Sequence, residues 1–319
     1  MYDNDRIAVT SRSFSKNTML RNALLEKYSH VKFNDNDLAL SNQELVDFLK
    51  NTTKVIAGLE IFSDEILSQL SDLKVISRFG VGLDGIDFDA LKCHRIKLAV
   101  TPGINRLAVA ELTLSLMLML IRRSFFSSLT LKNYQWKKIP GEQLSHKTIG
   151  IIGANYVGQE VVRLLRPFEC KILIYDIADL SHFCKTSNCK QIDFDTLIQE
   201  SDIISLHVPA TKKTHHMINT DTLLKMKKTA FLINTSRGSI VDQIALKHAL
   251  VNNEIAGAAL DVFEEEPLTD HELISLPHLI PMPHIAGNTV ESELAMGYAA
   301  IAGLENAEIP ADLKVSRPT

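Results

Sequence analysis

Near the C-terminal end of the chain three apolar runs each lead to a charged residue: Leu232-Ile-Asn-Thr-Ser-Arg237, Ala258-Ala-Leu-Asp-Val-Phe-Glu-Glu-Glu266 and Leu279-Ile-Pro-Met-Pro-His284. In an open parallel sheet the strand ends share one edge, so an arginine, a carboxylate and a histidine placed there can converge on one bound molecule. The arginine is an anion clamp, because its planar fork binds a carboxylate through two donors and keeps its charge. Histidine, with an ordinary pKa near 6.5, can give up a proton at neutral pH, and an adjacent carboxylate orients the ring and favours its charged form. The combination suits chemistry on a small carboxylated substrate.

A second spacing points to a nucleotide. Gly150-Ile-Ile-Gly153-Ala-Asn155-Tyr156-Val157-Gly158 joins a strand-like run to a helix-like one, the context in which N–H groups and a helix N-terminus face a pyrophosphate. The next apolar run, Lys171-Ile-Leu-Ile-Tyr175, ends on Asp176, 23 residues after Gly153, where an acid hydrogen-bonds the ribose 2′-hydroxyl. Asp176, with Asp179 close by and no arginine between them, would repel a 2′-phosphate, so NAD is expected rather than NADP. The middle glycine of the G-x-G-x-x-G pattern is Asn155. Asparagine is the next best residue for unusual backbone angles, so the turn can survive, although its side chain could crowd the phosphates.

Those groups need a scaffold, and the chain offers alternating strands and helices. In the first hundred residues 7–10, 31–33, 55–57 and 75–77 read as strands, with helical stretches at 18–28 and 41–50; Ser41-Asn-Gln-Glu44 is a capping box for the second. An apolar helix over 107–128 follows, suited to burial between two domains. Six further strands are expected at 148–153, 171–175, 202–207, 230–235, 256–260 and 279–282, the count of a dinucleotide-binding sheet. A last helix over 290–305 should pack back on the first domain, and the tail after Pro310 should fray.

At 319 residues the chain is long enough for two domains, and 45% apolar with 23% charged residues is ordinary soluble composition. A net charge of -4 and a pI of about 6.3, with lysine and arginine scattered, give no footprint for nucleic acid or an anionic membrane, so small molecules are the expected partners. The start, Met1-Tyr-Asp-Asn-Asp-Arg6, lacks the pattern of a secretory signal, and a cytoplasmic protein is expected. Residues 112–121, uncharged between Glu111 and Arg122, fall well short of the roughly 20 needed to span a bilayer. Cys93, Cys170, Cys184 and Cys189 lack metal-ligand spacing and read as reduced structural thiols. The acidic run around Glu264 has no paired histidines near it, and His215-His216 reads as a solvated loop pair, so no metal is expected.

Across almost its whole length the sequence resembles the D-isomer-specific 2-hydroxyacid dehydrogenases, nearest to the phosphoglycerate dehydrogenase-like members. The matching stretches are Arg78-Phe-Gly-Val-Gly-Leu-Asp-Gly-Ile-Asp87, Thr101-Pro-Gly-Ile-Asn105, Val109-Ala-Glu-Leu-Thr113, Leu206-His-Val-Pro-Ala-Thr211, Asn234-Thr-Ser-Arg-Gly238, Asp261-Val-Phe-Glu-Glu-Glu-Pro267 and Pro283-His-Ile-Ala-Gly287. The resemblance implies two Rossmann-like, doubly wound parallel-sheet α/β domains with a cleft between them. Residues 1–100 and 288–319 would form a flavodoxin-like substrate-binding domain, and 101–287 the NAD-binding domain.

It also implies roles. The catalytic arginine falls on Arg237, the glutamate on Glu266 immediately before Pro267, and the histidine on His284; the backbone at Val81 and Gly82 would hold the substrate carboxylate. Asp261 looks like the contact to the nicotinamide carboxamide, His207, Val208 and Pro209 border the adenine side, and Thr235 and Gly287 complete the cofactor site. Departures from the family are Asn155, Ala108 where many members have serine, and Met282 where threonine is common. Reducing a 2-keto acid needs a hydride at the carbonyl carbon and a proton at its oxygen, tasks that leave Arg237 to hold the carboxylate, His284 to donate and Glu266 to tune the donor. Arg12 and Arg78 are candidates for a second anionic group, which would admit 3-phosphoglycerate, whereas Glu60 disfavours a highly charged anion. The competing reading is an NADH-sensing, corepressor-like interaction protein that keeps the fold. Formate dehydrogenases are disfavoured because they carry glutamine where Glu266 stands. Similar proteins dimerise through the cofactor domain, so a homodimer is expected, with residues 112–121, Phe125, Phe126 and Trp136 as its surface.

Overall fold

The structure, a computed structural model, describes residues 5–309; the tail expected to fray lies outside them. It divides into two compact units, one formed by the chain up to Asn105 and again from Asn288, the other by Arg106–Gly287.

In the first unit β1 (Arg6–Val9), β2 (His30–Phe33), β3 (Lys54–Ala57), β4 (Val75–Arg78) and β5 (Lys97–Ala99) form one parallel sheet in the order β2-β1-β3-β4-β5. This is the flavodoxin-like doubly wound order. β4 is buried at every position, because strands covered by helices on both faces need apolar residues throughout. The fifth strand is absent from the sequence reading for a physical reason: of its three residues only Leu98 is buried, too little to leave a pattern. The strands are linked by α1 (Arg12–Lys16), α2 (Thr18–Leu25), α3 (Asn42–Leu49), α4 (Asp64–Leu67) and α5 (Phe88–Cys93). Ser41 does stand at the start of α3, but its side chain makes no capping hydrogen bond. Asn42 adopts a left-handed φ of 45°, which turns the chain out of capping-box geometry. The C-terminal helix α14 (Val290–Asn306) packs on β3, β4, β5 and α2. Ser77 Oγ donates to the Ala300 carbonyl at 2.7 Å and Asn17 Nδ2 to Glu293 Oε1 at 2.7 Å, tying it down.

The second unit holds β6 (Thr148–Ile152), β7 (Lys171–Tyr175), β8 (Cys189–Gln191), β9 (Ile203–Leu206), β10 (Phe231–Asn234), β11 (Gly257–Leu260) and β12 (Leu279–Pro281). They form one parallel sheet in the order β12-β11-β10-β9-β6-β7-β8. The sheet therefore has seven strands where six were expected. The extra one, β8, reads Cys-Lys-Gln and lies at the edge, where no core demands an apolar run. Strand order reverses between β6 and β9, which creates the crevice at strand C-termini where open α/β sheets bind ligands.

Helices α6 (Arg106–Ile121), α7 (Ser124–Lys132), α8 (Tyr156–Leu165), α9 (Ser181–Ser187), α10 (Phe194–Glu200), α11 (Thr220–Lys225), α12 (Gln243–Val251) and α13 (His271–Ile274) complete the unit. The helix expected over 107–128 is two helices. Arg123 adopts a left-handed φ of 54°, and the Ile121 carbonyl accepts from Glu142 N at 2.8 Å instead of continuing the helix. α6 itself packs on α8, β10 and β11, which accounts for its apolar sequence. No helix among the described residues is long and apolar enough to cross a membrane.

Candidate active site

β10, β11 and β12 are neighbours and parallel, so their C-terminal ends lie on one edge. Beyond β10 the chain turns on Asn234, whose Oδ1 accepts from Ser236 N at 3.0 Å and Ser236 Oγ at 2.8 Å while its Nδ2 donates to the Arg237 carbonyl at 2.8 Å. Such a side-chain turn fixes where Arg237 leaves the sheet. Arg237 Nη1 donates to the Ser236 carbonyl at 2.7 Å. The next residue must be glycine: a Cβ on Gly238 would overlap the Phe263 carbonyl, so the Arg237 loop and the loop after β11 are in direct contact.

Asp261 follows the last residue of β11 and is 0% exposed. Its carboxylate accepts from Ile285 N and Ala286 N, both at 2.8 Å, and its carbonyl accepts from His284 N at 2.9 Å. Burial pushes the Asp261 carboxyl above its ordinary range, with the two N–H groups acting against that shift. Three bonds from one residue thus set the loop that carries His284, whose own φ of 55° is uncommon outside glycine. Glu266 completes the arrangement. Its Oε1 accepts from Phe263 N at 3.0 Å, and its Oε2 lies 2.6 Å from His284 Nδ1. With Nδ1 turned to the carboxylate, Nε2 is the remaining ring nitrogen, and 42% of the His284 side chain is open to solvent.

At the other end of the crevice the β6–α8 turn fits a dinucleotide. Gly153 has a φ of 86°, and a Cβ there would lie 2.7 Å from the His207 carbonyl and 2.7 Å from Val208 Cγ1. Asp176, at the end of β7, accepts from Ala154 N at 3.0 Å and Ala178 N at 2.8 Å, closing the turn. Asn155 provides no side-chain cap to α8, and its Oδ1 is buried without a hydrogen-bond partner, a polar atom left for something the protein itself does not supply. Tyr156 and Val157 open α8, and Gly158 is buried within it. His207, whose Nε2 meets Ser205 Oγ at 2.9 Å, is kept neutral by burial; Pro209 is exposed beyond it. Thr235 is buried with its hydroxyl 3.0 Å from that of Thr113, and Gly287 is the last residue of the unit before Asn288. Asp261, expected at the nicotinamide, spends both carboxylate oxygens on its own neighbouring loop.

In the first unit Val81 and Gly82 are half-buried in the loop after β4. Arg78 is 5% exposed and donates from Nε to the Gly82 carbonyl at 3.1 Å, so it shapes that loop. Arg12 is exposed at the start of α1. Glu60 Oε2 is buried without a hydrogen-bond partner.

One sequence expectation is overturned in space. His215 and His216 do lie in a loop and are partly open to solvent, but His216 stands beside the acidic run: its Nε2 is 2.9 Å from Glu264 Oε1 and its Nδ1 3.9 Å from Asp242 Oδ2, with the ring stacked on His215 at 3.9 Å. His216, Asp242 and Glu264 are the one group among the described residues of a type and spacing that could hold a metal ion. Sequence reasoning also passed over Asn234, although an asparagine between an apolar strand and Ser-Arg-Gly is a legible turn signal.

The geometry has counterparts in known proteins. Residues 114–286 match the family described as D-isomer specific 2-hydroxyacid dehydrogenase, NAD binding domain. The chain is 41% identical over 272 residues to a glyoxylate reductase of Thermofilum pendens, spanning 81% of this chain and 80% of that protein. It is 39% identical over 258 residues to a hydroxypyruvate reductase of Thermotoga maritima, spanning 79% and 81%. Among solved structures, a glyoxylate reductase from Paecilomyes thermophila superimposes with a TM-score of 0.84 at 25% identity, covering 95% of each chain. The chain belongs to the D-isomer specific 2-hydroxyacid dehydrogenases, NAD-dependent oxidoreductases that act on the CH–OH group of their donors. Its cofactor is NAD(H).

Proposed function

We propose that this dehydrogenase reduces a small 2-keto acid of the glyoxylate or hydroxypyruvate type, with Arg237, His284 and Glu266 as its catalytic groups. The observation that carries the reading is the 2.6 Å pair between Glu266 and His284, beside the strand that leads to Arg237. NADH, held by the Gly153–Gly158 turn with Asp176 at its ribose, supplies the hydride when bound. Arg237 holds the substrate carboxylate through its fork and polarises the carbonyl. His284 gives the proton from Nε2 to the carbonyl oxygen, and Glu266, on Nδ1, fixes the orientation of the ring. Val81 and Gly82 supply backbone contacts to the carboxylate.

A substrate without a second strong anion is favoured over 3-phosphoglycerate. The first unit holds the buried, unpartnered Glu60 oxygen, which would repel a phosphate. Oxidation of NADH with glyoxylate, hydroxypyruvate, 2-ketoglutarate and phosphohydroxypyruvate tests the reading: turnover is expected to be fastest with the first two. NADH binding without oxidation by any of them would overturn it in favour of the sensor.

The reading extends to a cytoplasmic homodimer. α7 has no buried residue, and Tyr134 and Trp136 after it are 98% and 84% exposed, an apolar surface for a second copy on the cofactor-binding unit. A monomer by light scattering would contradict this. The cytoplasm suits four free cysteines, of which Cys170 and Cys189 are pushed up by burial to about 11 and about 12 and so remain unreactive thiols.

A further inference from the structure

Three consecutive glutamates, Glu264, Glu265 and Glu266, occupy an exposed turn, yet the reaction requires Glu266 to stay in register with His284. The bond from Phe263 N to Glu266 Oε1 cannot ensure this, because it lies within the turn and moves with it. The turn needs ties to something fixed. Glu264 provides two: its Oε1 accepts from Gln243 N at 3.0 Å, and the same oxygen is 2.9 Å from His216 Nε2.

Both partners are anchored in the core. Gln243 is the first residue of α12, which Asp242 caps by accepting from Ala245 N at 2.9 Å and which buries Ala245, Leu246, Ala249 and Leu250. His216 N donates to the Ser239 carbonyl at 2.9 Å, and two residues later Ile218, 0% exposed, bridges Val241. The ring of His216 is further held by stacking on His215 and by Asp242. Gly238 adds a steric stop, since the Phe263–Glu264 peptide rests against it, one residue from Arg237. Among the described residues Glu265 forms no hydrogen bond or ion pair, which makes it the internal control.

We propose that Glu264 is a positioning residue for the reaction: it pins the turn after β11 to His216 and the start of α12, and so keeps Glu266 against His284. The inference rests on the roles given above to Glu266 and His284.

Steady-state kinetics of Glu264→Ala, Glu264→Gln and Glu265→Ala test it, with the solvent deuterium isotope effect on kcat and NADH binding by fluorescence. Glu264→Ala is expected to lower kcat on the order of 10- to 100-fold, the penalty of a small misplacement. Its isotope effect should rise because proton donation becomes the slower step, while NADH affinity stays within about twofold of the parent. Glu264→Gln keeps an oxygen for Gln243 N and should recover most of the activity; Glu265→Ala should behave as the parent. In a Glu266→Gln background, Glu264→Ala should add little further loss. His216→Asn removes one of the two ties and should give the same signature at smaller size, which serves if Glu264→Ala does not fold. Parent-like kcat and isotope effect in Glu264→Ala, or full additivity with Glu266→Gln, would overturn the inference. His284→Ala with parent-like turnover would instead overturn the reading beneath it.

Discussion

The two ends of the seven-stranded sheet each hold a partly or wholly buried aspartate, and the two are treated in opposite ways. Asp202, at the N-terminal end just before β9, accepts from Thr148 N at 2.9 Å and from Lys227 Nζ at 2.7 Å. Burial pushes its carboxyl up, but the lysine and the N–H outweigh this and hold it below the ordinary range. Asp261, at the C-terminal end, has no lysine or arginine bonded to it, only two backbone N–H groups with His284 nearby, and burial wins: its carboxyl lies above the ordinary range. A buried carboxylate without a counter-charge is a stability penalty. At the N-terminal end the charge is neutralised and the strands β6 and β9 are clamped. At the C-terminal end the penalty is accepted, and what it secures is the position of the loop bearing His284.

The sharpest way to break this contrast is to remove the group that the C-terminal end positions. His284→Ala is expected to lower kcat at least about 100-fold, the lower range for a lost general acid. NADH binding should persist and Tm should stay close to the parent value, because the ring is partly exposed and contacts Glu266 at the surface of its loop. Unchanged turnover, measured as NADH oxidation under saturating keto acid, would remove the catalytic meaning of the C-terminal edge.

Much of this edge was legible in the sequence, because three apolar strands followed by Arg237, Glu266 and His284 carry both the sheet and its charges in consecutive motifs. What escaped has a common cause: it depends on pairings between distant segments or on runs too short to carry a period. β5 and β8 each have three residues, and β8 has no apolar run at all. The break between α6 and α7 is made by the left-handed Arg123 and by Glu142 docking on Ile121, neither of which interrupts the hydrophobic pattern. Glu264 looked like one of three equivalent glutamates until the fold brought His216 and Gln243 to it. Asp261 was visible as a strand-end acid, but its direction, back onto Ile285 and Ala286, is a tertiary fact.

The smaller effect to seek is the difference in acid stability between the two aspartates. Asp202 is depressed in the fold, so in the window between its folded value and the unfolded value near 3.9 the unfolded chain binds more protons, and stability rises with pH there. Asp261 is raised, so just above that unfolded value the folded protein binds more protons, and its contribution to stability falls as pH rises. Tm followed from pH 3 to pH 7 in Asp202→Asn and Asp261→Asn separates them. Asp202→Asn should lose stability at neutral pH, about 1 kcal/mol or roughly 2–4 °C, with activity intact and a shallower fall of Tm in acid. Asp261→Asn should keep one of the two bonds to the His284 loop, lower kcat, and show a steeper fall in acid, because the compensating protonation has been removed. Parallel Tm curves for the two variants would mean that the ends of the sheet are electrostatically alike, and that the position of His284 is secured by backbone packing with no penalty at Asp261.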